Sequence, residues 1–339
     1  MSASAPQVLC LGEALVDRLG LPGADPAVDP AACEDRLGGA PANVACALAQ
    51  LGTAAAYAGR LGRDAIGVAF ARLFADRGVD ISALQWDDRR PSRIVLVRRE
   101  ASGERQFGGF AGDGGAGFAD QALAASALAA ALEPLLEQAR WLLLGTIPLA
   151  SPASAEAAWA AVQQAAAKDV AIAVDVNWRP TFWDPAADPA AAPTDAQIHT
   201  MLPLLRQSRL LKCAAEEARW LFARTDPAVI SAALPHQPLV VVTDGEAPLR
   251  WGWAGAPPQT LAPPVVAVVD STGAGDAFCA GLLHGLCAEP ALLQADHPAA
   301  LAAVMRFAAA CGALVCQGAG AIDPQADDAQ IRAFLATRG

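Results

Sequence analysis

Short apolar runs alternate with longer amphipathic segments along most of the chain. The short runs predict β-strands, and the segments with apolar residues at helical spacing predict α-helices. The predicted strands are 8–12, 54–58, 141–144, 170–175, 209–212, 239–243 and 265–269. The predicted helices are 41–51, 67–77, 119–138, 153–168, 194–206, 214–223, 299–315 and 327–337. Repeated strand–helix units indicate an α/β fold with a mostly parallel sheet that helices cover on both faces.

Two stretches depart from this alternation. Residues 20–37 are rich in Pro, Gly and Asp. Residues 93–99 are an apolar run, 94–97, flanked by arginines; a turn at 102–103 and a second short strand follow, which is typical of a β-hairpin. We therefore expect a small β-lid over one face of the sheet, formed by about 16–37 and 91–112.

Composition limits the classes of partner. The 339-residue chain carries a formal net charge of −11, which argues against nucleic acid or an acidic membrane surface as a partner. Its eight cysteines form no CxxC pair, as is typical of reduced thiols in a cytoplasmic protein. We expect no signal peptide. The apolar stretch 301–321 is interrupted by Arg306 and Gln317 and predicts a packed helix rather than a membrane span. Because no linker separates two parts, we expect one domain over 1–339.

Several enzyme classes lack their sequence signatures. Neither lysine, Lys168 or Lys212, follows a Gly-rich loop, so there is no Walker A motif. HRD, DFG, HExxH and GxSxG motifs are also absent. The stretch 112–117 matches GxGxxG, but it follows the predicted hairpin instead of opening a helix after a strand. This context argues against a dinucleotide-dependent oxidoreductase.

The stretch 268–278 combines a predicted buried strand, a tight loop and the start of a helix. Gly273 and Gly275 permit a close approach of the backbone to a ligand. The first amides of a helix have no partner within it, and the helix dipole makes that end electropositive. Such an end binds anions, and Asp276 lies inside it. The arrangement suits phosphoryl transfer, in which amides hold the phosphoryl group and a carboxylate takes a hydroxyl proton. An ordinary acidic helix start is the alternative.

Further polar residues follow predicted strands, where open α/β sheets bind their ligands. Asp17 would accept hydrogen bonds from sugar hydroxyls, and Asn43 would offer both a donor and an acceptor. Arg179 would clamp a phosphate or a sugar oxygen. Glu217 would hold Mg²⁺ through water. Taken singly, each residue has an ordinary structural explanation that fits at least as well. Asp17 would be a solvated loop acid, and Asn43 would belong to a capped helix. Arg179 would form a surface ion pair with an Asp, and Glu217 would be an exposed helix acid.

The chain resembles the ribokinase-like carbohydrate kinases of the PfkB type, and among them the fructokinases. The stretches GGAPANVA at 38–45 and DSTGAGDAF at 270–278 carry most of the likeness. Other matching pieces follow in the order of the family, at 12–17, 175–180 and 243–245. The resemblance implies a three-layer α/β/α fold with a β-lid. It also implies transfer of the γ-phosphoryl group of ATP to a primary hydroxyl of a sugar. Because the likeness is greatest to the fructokinases, the sugar that it implies is fructose.

The resemblance also implies a set of site residues. The catalytic base would be Asp276, with an anion hole formed by the amides of Gly273, Ala274, Gly275 and Asp276. The sugar would be bound by Asp17, Gly38, Gly39, Asn43 and Arg179. ATP would be bound by Lys212, Thr243, Gly245, Gly273 and Gly275. Mg²⁺ would be held by Glu217 through water, and a monovalent cation such as K⁺ by Asp270 and Thr272. Two paired lids would form a homodimer.

Two departures from the family pattern keep alternatives open. Ala214 stands where the family has Asn or Ser in an Asn-x-x-Glu motif, which bears on the nucleotide and metal contacts. The segment 107–118 is Gly-rich and lacks an Arg that fructokinases often carry there, which bears on the identity of the sugar. A kinase for ribose or 2-keto-3-deoxygluconate is the first alternative. A non-catalytic sugar-sensing protein is the second.

Overall fold

The computed structural model describes residues 5–20, 27, 33–99, 105–293 and 297–338. Within this part of the chain, nine strands form a central sheet and four form a second sheet. The central strands are β1 Val8–Leu11, β4 Ala55–Gly62, β5 Asp80–Asp87, β8 Trp141–Leu144, β9 Ala171–Asp175, β10 Leu210–Ala214, β11 Leu239–Asp244, β12 Ala247–Gly252 and β13 Gln259–Leu261. The strands of the second sheet are β2 Leu15–Leu19, β3 Glu34–Gly38, β6 Arg93–Arg99 and β7 Arg105–Ala111.

The central sheet is mostly parallel, as predicted. Its strand order is β13-β12-β11-β10-β9-β8-β1-β4-β5, and only β12 and β13 pair in the antiparallel direction. From β1 the chain first builds the sheet toward β5 and later, through β8, toward β11. The direction of growth therefore reverses beside β1, and ligands of open α/β sheets bind outside the strand ends at such a point.

Helices cover both faces of this sheet. The helices are α1 Ala40–Gln50, α2 Ala65–Arg77, α3 Ala125–Leu136, α4 Pro152–Ala167, α5 Pro180–Trp183, α6 Asp195–Leu205, α7 Ala215–Phe222, α8 Pro227–Ala232, α9 Ala274–Ala288, α10 Pro298–Val315 and α11 Asp328–Ala336. Alternate residues of β1 enter opposite cores: Val8 and Cys10 pack with α1, α2, α9, α10 and α11, whereas Leu9 and Leu11 pack with α3, α4, α6, α7 and α8. The three-layer α/β/α prediction is thus confirmed.

The second sheet has the order β3-β2-β6-β7. Its strands fall largely within the two segments predicted as a lid, although β2 and β3 were not predicted as strands. Residues 21–26 and 28–32 of the first segment, and the predicted hairpin turn at 102–103, lie outside the described residues. The Gly-rich stretch 112–117 is a loop after β7 and opens no helix, so it lacks the strand–loop–helix context of a dinucleotide site.

Three predictions about secondary structure were wrong. Residues 265–269 form no strand: Val265 is 87% exposed, and the amides of Val269 and Asp270 donate to the carbonyl of Cys316 at the end of α10. Pro263 and Pro264 precede this segment and cannot donate to a sheet ladder. The predicted helix 119–138 is divided into a short 3₁₀ turn and α3, and β5 was missed.

Helix α10 is packed in the protein core. In the described part of the chain it is the one helix that is long and apolar enough to span a membrane by length and composition. It lies against α9 and α11, and its residues Leu301 and Met305 are fully buried. This arrangement agrees with the packed helix expected from the sequence.

A buried aromatic cluster attaches α2 to the central sheet. Phe74 of α2 is fully buried, and its ring stacks on Tyr57 of β4 with centroids 4.8 Å apart. Tyr57 in turn donates its hydroxyl to the carbonyl of Gly12, directly after β1. The cluster therefore supports the strand end from which the candidate site begins.

We expect Phe74→Ala to lower the free energy of unfolding by about 3–5 kcal/mol, because it removes a ring from a close-packed core and leaves a cavity. Val68→Ala on the same helix is the control: Val68 is 64% exposed, and a loss of about 0.5 kcal/mol or less is expected. Urea unfolding measures both values. Equal losses would contradict this account of the core.

Candidate active site

A polar cleft opens at the carboxyl ends of the parallel strands. Its volume is about 580 Å³. It is bordered by the ends of β1, β9, β10 and β11 and by the second sheet. The predicted site residues that line it are Asp17, Gly39, Asn43, Arg179, Lys212, Glu217, Thr243, Thr272, Gly273, Gly275 and Asp276. Gly38 lies beside it, because a Cβ there would stand 3.3 Å from Oδ2 of Asp17.

An apolar cleft of about 330 Å³ lies next to the polar cleft. It is lined by Gly245 and Ala274 among the predicted residues, and by the misassigned segment with Val265 and Val268. The two clefts share Thr243, Ser271 and Gly275. This explains why the valines of that segment are exposed: they form the wall of a cleft and not a strand of the sheet. A polar ligand and a ligand with an apolar ring would meet at the start of α9.

The start of α9 is the point of contact between the clefts. Gly273 precedes the helix with φ of 78°, a left-handed conformation that favours glycine. A Cβ there would also stand 2.4 Å from that of Ala321, so the site admits no side chain. Because helix-start amides lack partners within the helix, this turn is suited to bind an anion shared by both clefts.

Asp276 lies in this first turn and is held by α1. Nδ2 of Asn43 donates to Oδ2 of Asp276 at 2.7 Å. Burial raises the pKa of Asp276, while the Asn43 hydrogen bond and the charges of Lys212 and Arg179 oppose that increase. The other amide atom of Asn43, Oδ1, is buried and makes no hydrogen bond within the described residues. It is therefore an acceptor without a partner in a residue that lines the polar cleft.

A buried ion pair lies beneath Gly275. Nζ of Lys212 on β10 donates to Oδ2 of Asp175 on β9 at 2.7 Å. Burial is the largest single influence and lowers the pKa of Lys212. The charge and hydrogen bond of Asp175, together with the charges of Cys279 and Asp276, outweigh it, so the net pKa is raised. A Cβ on Gly275 would stand 3.2 Å from Nζ. A permanent positive charge therefore lies directly beside the helix start.

Glu217 has a structural role that sequence reasoning missed. Its Oε2 accepts the amide of Ala214 at the start of α7, and its Oε1 accepts the amide of Trp178, both at 2.7 Å. Burial raises its pKa. The carboxylate thus fixes the loop that carries Arg179 to α7, and it satisfies the amide of Ala214 at the start of that helix. Glu217 also lines the polar cleft, and each of its oxygens has a further lone pair that permits a contact through water.

Asp270 and Thr272 form a compact oxygen-rich turn. Oδ1 of Asp270 accepts the amide and the hydroxyl of Thr272, at 3.0 and 2.7 Å. Oδ2 accepts the amide of Gly320 at 2.8 Å. The turn therefore connects the approach to α9 with the loop that follows α10. Carboxylate, hydroxyl and carbonyl oxygens of this kind are the ligands that hard cations prefer.

Gln325 was also missed by sequence reasoning. Its Nε2 donates to the carbonyl of Asn43 at 2.9 Å and to that of Ala321 at 3.1 Å. It therefore holds both the partner of Asp276 and the residue that packs on Gly273. No local pattern marks such a role, because Gln325 and Asn43 are far apart in the sequence.

The profile of the pfkB family carbohydrate kinases matches residues 5–328. The chain belongs to the pfkB family of carbohydrate kinases. It is therefore an ATP-dependent sugar kinase, as the sequence predicted.

Three individual proteins illustrate the match to this family. Fructokinase from Klebsiella pneumoniae is 33% identical, over 86% of this chain and 90% of its own length. The structure of fructokinase with bound ATP from Xylella fastidiosa has a TM-score of 0.84 at 28% identity and covers 98% of both chains. A fructokinase double mutant from Vibrio cholerae O395, with fructose, ADP and a potassium ion bound, has a TM-score of 0.79 at 27% identity. It covers 99% of this chain and 100% of its own.

Glu13 is a further residue of the kinase cleft that we did not assign from sequence. It is buried at the end of β1 and accepts the amide of Ala40 at 3.1 Å, at the start of α1. Burial raises its pKa to about 8, and the negative charges of Asp120 and Asp276 add to the increase. The carboxyl is therefore protonated over much of the neutral pH range, which limits the negative charge of the cleft.

The raised pKa of Glu13 predicts a pH dependence of stability. In the unfolded chain the group ionises near pH 4.5, whereas in the folded protein it keeps its proton up to about pH 8. Between these values the folded state binds more protons, so stability falls as pH rises through this window. The scale is about 1.4 kcal/mol for each unit of pKa difference.

We expect Glu13→Gln to remove this loss, so that the variant gains stability relative to the parent as pH rises from 5 to 9. Urea unfolding at a series of pH values measures the difference. Glu156→Gln, on the exposed face of α4, is the control and should show no such trend. Parallel curves for the parent and Glu13→Gln would show that Glu13 is already ionised in the folded protein.

Proposed function

We propose that this kinase is a fructokinase that transfers the γ-phosphoryl group of ATP to a primary hydroxyl of fructose. The observation that carries the proposal is the hydrogen bond between Asn43 and Asp276 at the junction of the polar and apolar clefts. It places a prospective base where a sugar hydroxyl and a nucleotide phosphate would meet. The fructokinases among the similar proteins support the choice of fructose.

The polar cleft is suited to hold a neutral polyol. In our proposal Asp17 accepts sugar hydroxyls, while the backbone at Gly38 and Gly39 permits close approach. Asn43 offers its buried Oδ1. Arg179, an exposed residue at the rim, donates to the carbonyl of Trp178 and faces the same cleft. Together these groups orient one primary hydroxyl toward Asp276, and such orientation lowers the barrier to reaction.

The apolar cleft is suited to hold the adenine and ribose of ATP. Thr243 and Gly245 at the end of β11 would lie along the nucleotide. Valines and Phe278 supply apolar surface for a flat ring. The triphosphate would then extend toward Gly275 and the charge of Lys212. This direction brings the terminal phosphate to the start of α9.

The chemical step combines a base with an anion hole. Asp276 would take the proton of the sugar hydroxyl as the phosphoryl group moves. The charge of the phosphoryl oxygens would be offset by the amides of Gly273, Ala274, Gly275 and Asp276. Lys212 adds a fixed positive charge on the same side. In our proposal each of these groups acts without a large rearrangement of the chain.

We propose that Mg²⁺ and K⁺ assist the reaction. Within the described residues, no group of three or more His, Cys, Asp or Glu side chains is placed to hold a metal ion. This fits Mg²⁺, which keeps several waters and is bound mainly by nucleotide phosphates. Glu217 would contact it through water. Asp270 and Thr272 would place oxygens near K⁺, and a potassium ion is bound in the similar Vibrio cholerae enzyme.

The charge of the polar cleft bears on the choice of sugar. Arg179 is the group that would favour an acidic sugar such as 2-keto-3-deoxygluconate. It faces Asp17 and Asp276, both of which line the same cleft. A sugar carboxylate would be repelled by these acids, so the balance favours a neutral ketose.

We also propose a cytoplasmic homodimer that pairs through the second sheet, which serves as the lid.

We expect ADP release in the presence of Mg²⁺ and fructose, with weaker turnover of ribose and little or none of 2-keto-3-deoxygluconate. A coupled ADP assay over these sugars, with and without K⁺, measures this. Highest kcat/KM for the acidic sugar would overturn the choice of fructose. Sugar binding without ADP release would instead identify a sugar-sensing protein.

We expect Asp276→Asn to lower kcat by at least ~10²-fold, within the usual range for loss of a general base. Sugar affinity should change little, because the amide keeps the size of the side chain. The steady-state assay gives kcat, and calorimetric titration gives sugar affinity. Asp76→Asn on the exposed face of α2 is the control. Turnover close to that of the parent would remove Asp276 from the role of base.

A further inference from the structure

Arg93 is a buried cation that the proposed chemistry does not use. It lies on β6 of the second sheet and is 4% exposed. Its Nε donates to Oδ2 of Asp120 at 2.8 Å, and its Nη2 donates to Oδ1 of Asp120 at 3.0 Å. Asp120 lies in the 3₁₀ turn Ala119–Ala122, directly before α3. A two-point ion pair therefore connects a lid strand to the body of the protein.

Three aromatic rings surround the guanidinium of Arg93. It lies 4.8 Å from the ring centroid of Phe110, 4.5 Å from that of Phe118 and 4.7 Å from that of Phe182. Phe110 also contacts Phe182 edge-to-face at 5.2 Å. The rings come from β7, from the segment after the Gly-rich loop and from α5. One cation thus joins both ends of the stretch 110–118 to α5, which is distant in the sequence.

This cluster reaches the wall of the polar cleft. Phe182 lines both the cleft and a small cavity of about 20 Å³ that Arg93 and Asp120 also line. Phe182 lies three residues after Arg179, in the short helix α5 that follows it. The position of Phe182 and of the lid strands is therefore connected directly to the place where the sugar would bind.

We propose that Arg93 is a positioning residue for the sugar. It would fix the lid strands and Phe182 around the polar cleft without touching the transferred group. The proposal rests on the proposed function, in which the polar cleft binds the sugar. It also gives the unusual segment 107–118 a role: the segment lacks an arginine of its own, and two of its rings, Phe110 and Phe118, lie against the guanidinium of Arg93 on the neighbouring strand.

Stability alone does not account for such a pair. Removing two charges from water costs free energy that the attraction between them often only balances, and apolar replacements of buried pairs are frequently neutral. The planar fork of arginine, in contrast, fixes both distance and angle between the parts that it joins. Replacement of both partners should therefore change the position of β6 relative to the turn that carries Asp120 more than it changes the stability of the protein.

The test is the double variant Arg93→Met/Asp120→Asn, which removes both charges and leaves no unpaired ion. We expect the sugar KM to rise about tenfold or more, while kcat and the KM for ATP stay within about twofold. Arg332→Met/Asp328→Asn is the matched control. It removes another Arg–Asp pair, with Arg332 over the ring of Phe307, that lies away from the polar cleft. This control should leave all three constants unchanged.

Hydrogen–deuterium exchange gives a second measurement that does not depend on which sugar is used. Amides of β6 and β7 should exchange faster in the double variant than in the parent and the control, while β8 and β9 stay protected. Equal exchange in β6 and β7 would overturn the proposal for any sugar, as would an unchanged sugar KM. A parent that phosphorylates none of the sugars would refute the fructokinase proposal instead, and the exchange comparison would then decide the role of Arg93.

Discussion

The hydrogen bond between Asn43 and Asp276 is the contact on which the arrangement of the site depends. It joins the first turns of α1 and α9, two helices that follow strands or loops far apart in the chain. At the same end of α1, the amide of Ala40 donates a hydrogen bond to Glu13, and the carbonyl of Asn43 accepts one from Gln325. In our proposal this contact, supported by the bonds of Glu13 and Gln325, sets the sugar and phosphate sites relative to each other. A small rotation of either helix would separate them.

Electrostatic balance is the second constraint on this site. A chain with a net charge of −11 must bind a triphosphate, which is strongly anionic. The acids around the cleft would repel it unless local groups compensate. Lys212 remains charged through Asp175, Glu13 carries a proton near neutral pH, and the helix start contributes partial positive charge. The positive charge of Lys212 and of the helix start thus lies together beside Gly275, where we propose that the phosphate binds.

Most of the residues that we assign to the site could be named from the sequence because their signals are local. The glycines at 38–39 and 273–275, and the acid that follows the latter, lie in short motifs where spacing determines backbone shape. The roles of Glu217, Gln325 and Arg93 could not be predicted in this way. Each depends on contacts between distant segments. An example is the hydrogen bond that the amide of Trp178, after β9, donates to Glu217 in α7. Periodicity detects which face of an element is buried, but it does not show which elements meet.

The failed strand at 265–269 shows where propensity and function conflict. Its valines are among the residues that favour β-structure most, and the run is apolar throughout. Had it paired with the sheet, those side chains would be buried and the apolar cleft would lose one wall. The prolines before it remove two ladder donors, and the bonds to Cys316 hold the chain beside α10. Exposure of Val265 and Val268 therefore lowers the stability of the folded chain locally, and it leaves apolar surface in the cleft. A flat ligand that covered this surface would regain the free energy of apolar burial.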